Sequence, residues 1–147
     1  MDVLAAIPHR PPFLFVDAVT FCDDNNIVAE RTWRSDEDFY KGHYPHSPVT
    51  PGVLLCESVF QTAAALLSER IHKDAENITG LPVPVLAKIV NCKFKRMIKP
   101  GEKTVASVTL KEKLNGFYFL DGKVTVDGKT ALTIEFALTL VDQKDAQ

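Results

Sequence analysis

The segment GHYPHSPVTPGVLLCE, residues 42–57, holds two histidines and one carboxylate among three prolines and two glycines. His43 can serve as a general base, because imidazole is the side chain whose ordinary charge change falls near neutral pH. Glu57 lies among Leu54, Leu55, Cys56, Val59 and Phe60. Apolar surroundings disfavour an ionised carboxylate, which suits the group as a proton donor. Thr50-Pro51-Gly52 reads as a helix start, with Thr50 as the cap and Pro51 in the first turn. The N–H groups of Gly52 and Val53 at that terminus have no intrahelical acceptor and can hold a developing oxyanion. Gln61, one helical turn beyond Glu57, shares its face and can orient it. A base, an acid and an oxyanion site together fit one reaction class. A proton leaves the carbon beside a carbonyl, and hydroxide leaves the next carbon as water; the reverse is hydration. The plainer reading is a solvated loop histidine and a glutamate paired with a neighbour. His43 and His46 also make an HxxH spacing, but no third ligand accompanies them, and no metal is expected. Cys56 could be a nucleophile, although a buried cysteine more commonly packs as a small hydrophobe.

The elements that must hold these groups follow from the pattern. FLFVDAVTF, residues 13–21, is aromatic and β-branched and reads as a strand, as does IVAERTW, residues 27–33. Residues 34–51 read as loop or short irregular helix. From Val53 to about His72 there is no proline or glycine, and Leu, Ala and Val dominate up to Leu67. A helix that is apolar all round is buried all round. After Gly80 the pattern is strands: residues 82–98, then segments joined by Asn115-Gly116 and Asp127-Gly128, both strong two-residue hairpin signals. In the last segment Leu132, Ile134, Phe136, Leu138 and Leu140 alternate with Thr133, Glu135 and Thr139. An antiparallel sheet wrapped around one long central helix, an α+β fold, is the simplest arrangement.

Composition narrows the classes of function. The chain has 147 residues, a length that favours a single domain over 1–147; 46% are apolar and 24% charged, ordinary values for a globular protein. The net charge of -2 gives no basic field for nucleic acid. No apolar run reaches the roughly 18–20 residues that span a bilayer. The opening residues MDVLAAIPHRPP lack a basic leader, so a cytoplasmic protein is expected. Cys22, Cys56 and Cys92 are odd in number and widely spaced, which suggests neither a disulfide framework nor a zinc site.

Three stretches carry a resemblance. PHRPPFLFVD (8–17), GHYPHSPVTPGVLLCE (42–57) and FKRMIKPGE (94–102), followed by VTVDGK (124–129), look like the signatures of the 3-hydroxyacyl-acyl-carrier-protein dehydratases of the FabZ type, in order along nearly the whole chain. The resemblance implies a hot-dog fold and a homodimer, possibly assembled further as a trimer of dimers. Its sites lie between subunits, with the histidine from one and the glutamate from the other. It implies His43 as the base at C2 and Glu57 as the group assisting loss of the C3 hydroxyl. Gly52 would give a backbone N–H to the thioester oxygen, and Val49, Val53 and Gln61 would complete the substrate contacts. No cofactor is implied. His46 and Thr50 depart from the family's usual small residue and Met, Pro12 from its frequent Tyr, and Ser58 and Phe60 from its small or apolar helix residues. These departures bear on acyl preference and leave His43 and Glu57 intact.

The implied partner, acyl carrier protein, is acidic. Lys93, Lys95 and Arg96, with Lys99 nearby, form a basic cluster that could steer it, or merely a solvated strand face. The sequence is also compatible with two rival functions. A hot-dog thioesterase would use a carboxylate to activate water at the thioester carbonyl. A non-catalytic acyl-binding module would gain nothing from a desolvated carboxylate.

Overall fold

The structure is a computed structural model that describes residues 1–77 and 79–144. After a short helix α1 (Val3–Ala6) come strands β1 (Ala18–Cys22) and β2 (Asn26–Thr32) and a 3₁₀ turn at Asp38–Lys41. The long helix α2 (Gly52–Asp74) follows, then β3 (Val83–Phe94), β4 (Lys103–Leu114), β5 (Phe117–Val126) and β6 (Lys129–Val141). All six strands form one antiparallel sheet in the order β1-β2-β4-β5-β6-β3. β3 does not pair with its successor β4. It crosses to the far side and pairs with β6, so the sheet closes around α2 with β1 and β3 as its edges. No helix among the described residues is long and apolar enough to cross a membrane.

Helix α2 is buried without a break from Ser58 to Ser68. The inner faces of β2, β4, β5 and β6 cover it with Ile27, Val108, Leu120, Leu132, Ile134 and Phe136, none more than 2% exposed. Phe60 meets the edge of Phe136 with ring centroids 5.0 Å apart. Both hairpin turns form as expected. Asn115 and Gly116 have φ of 52° and 81°, and Asp127 and Gly128 have 49° and 73°. Positive φ at both central residues is the conformation that matches the twist of the flanking strands.

Three sequence expectations are corrected. Residues 13–17 are not strand, and β1 begins at Ala18. The backbone there bonds to a side chain instead: Phe15 N–H donates to Gln61 Oε1 at 2.8 Å, and Gln61 Nε2 donates to the Phe13 carbonyl at 3.1 Å. Thr50 does not cap α2. Its hydroxyl lies 2.6 Å from the Tyr40 hydroxyl and its N–H donates to the Ile98 carbonyl, which leaves Pro51 as the N-cap. β3 stops at Phe94, short of residue 98, because the N–H groups of Lys95 and Arg96 both turn to the Ala131 carbonyl.

Gly122 marks the closest approach of sheet to helix. A Cβ built there would lie 2.4 Å from Val59 Cγ1 and 3.1 Å from Ile134 Cγ2. Overpacking of this kind costs about 1–3 kcal/mol. Gly122→Ala is therefore expected to lower stability by that amount in urea unfolding, although alanine favours an extended strand more than glycine does. An unchanged midpoint would show that the helix can back away from the sheet.

Candidate active site

The loop that carries His43 is anchored by aromatic and charged contacts on its inner side. Trp33 is fully buried and donates Nε1–H to Thr104 Oγ1 at 2.9 Å. Phe39 packs between Phe15, Trp33 and Tyr40, with centroids 4.6–6.4 Å apart. The Arg31 guanidinium lies over the rings of Phe15 and Trp33, reaches Asp17 Oδ1 at 3.0 Å and pairs with Glu37. Burial keeps the Tyr40 phenol above its ordinary range, against the pull of its bond to Thr50, so it stays protonated and holds the loop to the start of α2.

Within this frame His43 Nδ1 lies 2.7 Å from the Val49 carbonyl oxygen. A carbonyl only accepts, so Nδ1 carries the proton and, in the neutral ring, Nε2 keeps its lone pair. Tyr44, the next residue, sits at φ 55°, in the left-handed region that side chains of its size rarely adopt. Its ring meets the edge of His43 at 4.8 Å, and its carbonyl accepts from Ser47 N–H at 2.9 Å. Strain of this kind collects where a functional loop is held by its surroundings.

His43, Val49, Gly52, Leu55 and Phe94 line one open cleft of about 470 Å³, with Tyr44, Lys95, Arg96 and Met97 also along it. Leu54 and Leu55 N–H both reach the Pro51 carbonyl. The N–H groups of Gly52 and Val53 come too early in the helix to find a carbonyl within it. Gly52 has no side chain to block approach, and Phe94 lies against it: a Cβ there would meet the ring at 2.7 Å.

The structure separates the expected residues into two groups. His43, Val49, Gly52, Lys95 and Arg96 come together at the cleft. Glu57 does not line it. It lies further along α2, its side chain 21% exposed, and accepts from Gln61 Nε2 at 3.0 Å. Gln61 is fully buried and spends its other bonds on residues 13 and 15, so it holds Glu57 rather than facing a cavity. Val53 is 73% exposed and outside the cleft. Lys93 lies in a different groove, with Asn91, Asp121, Thr133 and Glu135, so it is apart from Lys95 and Arg96. His46 is exposed.

One neighbour of Glu57 was not foreseen. His9 Nε2 lies 3.6 Å from Glu57 Oε1, and His9 Nδ1 is buried without a partner among the described residues. His9 reads in sequence only as a loop residue before a strand. Its placement depends on α1 and the 7–12 turn folding back on α2, which no local pattern encodes.

Comparison with known proteins identifies the relationship. Residues 7–135 match the FabA-like domain. The chain belongs to the FabA-like family. Among its FabA-like relatives, the 3-hydroxyacyl-[acyl-carrier-protein] dehydratase FabZ of Streptococcus uberis is 36% identical over 140 residues, covering 93% of this chain and 95% of that protein. The FabZ of Streptococcus pyogenes serotype M3 is 36% identical over 139 residues, covering 92% and 95%. Among solved structures, the fold matches the dehydratase heterocomplex ApeI:P from Xenorhabdus doucetiae, with TM-score 0.79 and 15% identity over 99% of this chain and 95% of that one. It also matches a hypothetical thioesterase with coenzyme A from Streptococcus pneumoniae, with TM-score 0.63 and 11% identity over 95% and 91%. This FabA-like chain therefore has the hot-dog fold.

His9 supplies a pH test of this part of the site. Burial lowers its pKa, the negative charge of Glu57 opposes that, and Arg10 adds to the lowering. The unfolded chain then binds the proton more readily than the folded one. The stability this group contributes is complete above about pH 6.5 and is lost as the pH falls through the lowered folded value. The urea midpoint of the wild type should therefore drop further than that of His9→Gln between about pH 7.5 and pH 5. Parallel losses in the two proteins would show that His9 titrates the same way folded and unfolded.

Proposed function

We propose that this chain dehydrates 3-hydroxyacyl thioesters carried on acyl carrier protein to trans-2-enoyl thioesters, in fatty acid or related acyl-chain synthesis. Its family and the activity named for its curated FabZ relatives support the reaction class. The observation that carries the mechanism is the bond between His43 Nδ1 and the Val49 carbonyl, which leaves Nε2 as the free base beside an unpaired helix N-terminus.

The thioester carbonyl would sit at the start of α2 and accept from Gly52 N–H. His43 Nε2 would take the proton from C2. Negative charge building on the thioester oxygen would be met by N–H dipoles already in place. Glu57 would give a proton to the C3 hydroxyl as the C3–O bond breaks, water leaves and the C2–C3 double bond forms; Gln61 Nε2 donates to Glu57 Oε1, and His9 Nε2 lies 3.6 Å from that same oxygen. The reaction is thus proton abstraction at C2 and acid-assisted loss of water from C3, chemistry that an imidazole and a carboxyl group can supply.

Because Glu57 lies outside the cleft lined by His43, the second carboxylate-bearing helix is proposed to come from another copy of the chain. The edge strand β3 supports this. It is twelve residues long, pairs among the described residues only with β6, and leaves Leu86, Ile89 and Val90 44–51% exposed. A long apolar edge of this kind is a template for pairing with an identical strand. Lys95 and Arg96, on the rim with the 76%-exposed Met97, are the proposed contacts for the acidic carrier; Lys93 faces elsewhere.

The test is hydration of trans-2-enoyl thioesters, followed by loss of their ultraviolet absorbance. Wild type should be active, and His43→Ala or Glu57→Ala should each slow the reaction by roughly 100-fold or more. Neutralising Lys95 and Arg96 should weaken carrier-bound substrates more than small thioester mimics. Release of free thiol without hydration would favour thioester hydrolysis, and inertness toward all chain lengths would overturn the dehydratase reading.

A further inference from the structure

Cys56 and Cys92 face each other with their sulfurs 3.7 Å apart. Cys56 is buried on α2, one residue before Glu57, and Cys92 is half-buried on β3 against the core. The pairing follows from how the helix and strand run past one another. Gly52 and Cys56 share a helix face and are separated by about 6 Å along the axis. Phe94 and Cys92 share a strand face and are separated by about 6.6 Å. The two steps nearly match, so Phe94 packing on Gly52 brings Cys92 onto Cys56 one rung further along. Cys22, the third cysteine, lies on β1 at the opposite edge of the sheet from β3.

We infer that Cys56 and Cys92 form an oxidation site, a dithiol that hydrogen peroxide converts to an intramolecular disulfide fastening α2 to β3. Cys92, the more open of the two, reacts first. Its sulfur attacks one peroxide oxygen, the O–O bond breaks, water leaves and a sulfenic acid forms. The Cys56 sulfur then attacks the Cys92 sulfur. The S–O bond breaks, and the departing hydroxide takes the Cys56 proton as a second water. Two thiols are oxidised by two electrons in all, and the peroxide is reduced to two waters. Burial, with Cys92 alongside, pushes the Cys56 thiol up to about 12, in keeping with Cys56 acting second.

A disulfide brings the sulfurs to about 2.05 Å. Closing the gap from 3.7 Å draws the first turns of α2 toward β3 and presses Phe94 onto Gly52, over the N–H groups that face the cleft. This consequence rests on the proposed function of the cleft; the cross-link itself does not.

The experiment treats the full chain with hydrogen peroxide, counts free thiols and maps unreduced digests by mass spectrometry. The count should fall from three to one, with a single cross-link joining the Cys56 and Cys92 peptides that dithiothreitol reverses. Cys92→Ser and Cys56→Ala should each abolish the cross-link while keeping the fold, judged by circular dichroism. Enoyl-thioester hydration should fall at least about 10-fold in the cross-linked protein and return on reduction. Oxidation of Cys92 to sulfinic acid without a cross-link, or retention of all three thiols, would overturn the inference whatever the protein catalyses. A cross-linked protein with full activity would overturn the coupling to the cleft. A cross-link in a protein inert even when reduced would uphold the oxidation site and count against the dehydratase reading.

Discussion

A helix that is apolar around its whole circumference is stable in water only when something covers every side of it. That constraint shapes this molecule. One sheet must curl far enough to enclose α2 from Ser58 to Ser68, so the strands are long, all antiparallel, and end in two free edges. Polar atoms buried on this helix must find hydrogen-bond partners, near or far in sequence. Ser58 Oγ donates to the Leu55 carbonyl and Thr62 Oγ1 to the Ser58 carbonyl, each at 2.7 Å, while Gln61 reaches residues 13 and 15. Gly122 lets the sheet come close, and Phe60 fills space against Phe136. The enclosure stops at the first turn of α2, and that opening is the cleft.

The same arrangement determines what the site can do. The helix start favours negative charge because its first N–H groups have no intrahelical partners. The loop before it is held by Tyr40, Thr50 and the aromatic cluster beneath, which fixes His43 beside that end. Glu57 is the one carboxylate in the first half of α2, and the hydrogen bond from buried Gln61 holds its direction.

Much of this was legible in the sequence because it is encoded by local pattern. The apolar run gave α2, the alternation in residues 132–140 gave the inner face of β6, and Asn115-Gly116 and Asp127-Gly128 gave the hairpins. What was not legible depends on contacts between distant segments. Residues 13–17 have strand composition, but Gln61 takes their hydrogen bonds. Thr50 has the chemistry of a cap, but Tyr40 engages its hydroxyl. Lys93 and Lys95 sit two apart, yet the turn of Lys95 toward Ala131 parts them. The contacts of Glu57 with His9 and of Cys56 with Cys92 likewise arise only when the chain has closed around α2.

The central claim is that each site is completed across two copies of the chain. The most direct measurement mixes inactive His43→Ala and Glu57→Ala proteins, unfolds and refolds them together, and follows enoyl-thioester hydration. Random pairing puts half of the dimers in the mixed form, each with one intact site of two, so about a quarter of wild-type activity should return. Mixtures no more active than the separate mutants, with subunit exchange verified by differently tagged copies, would contradict a shared site and place both groups on one chain.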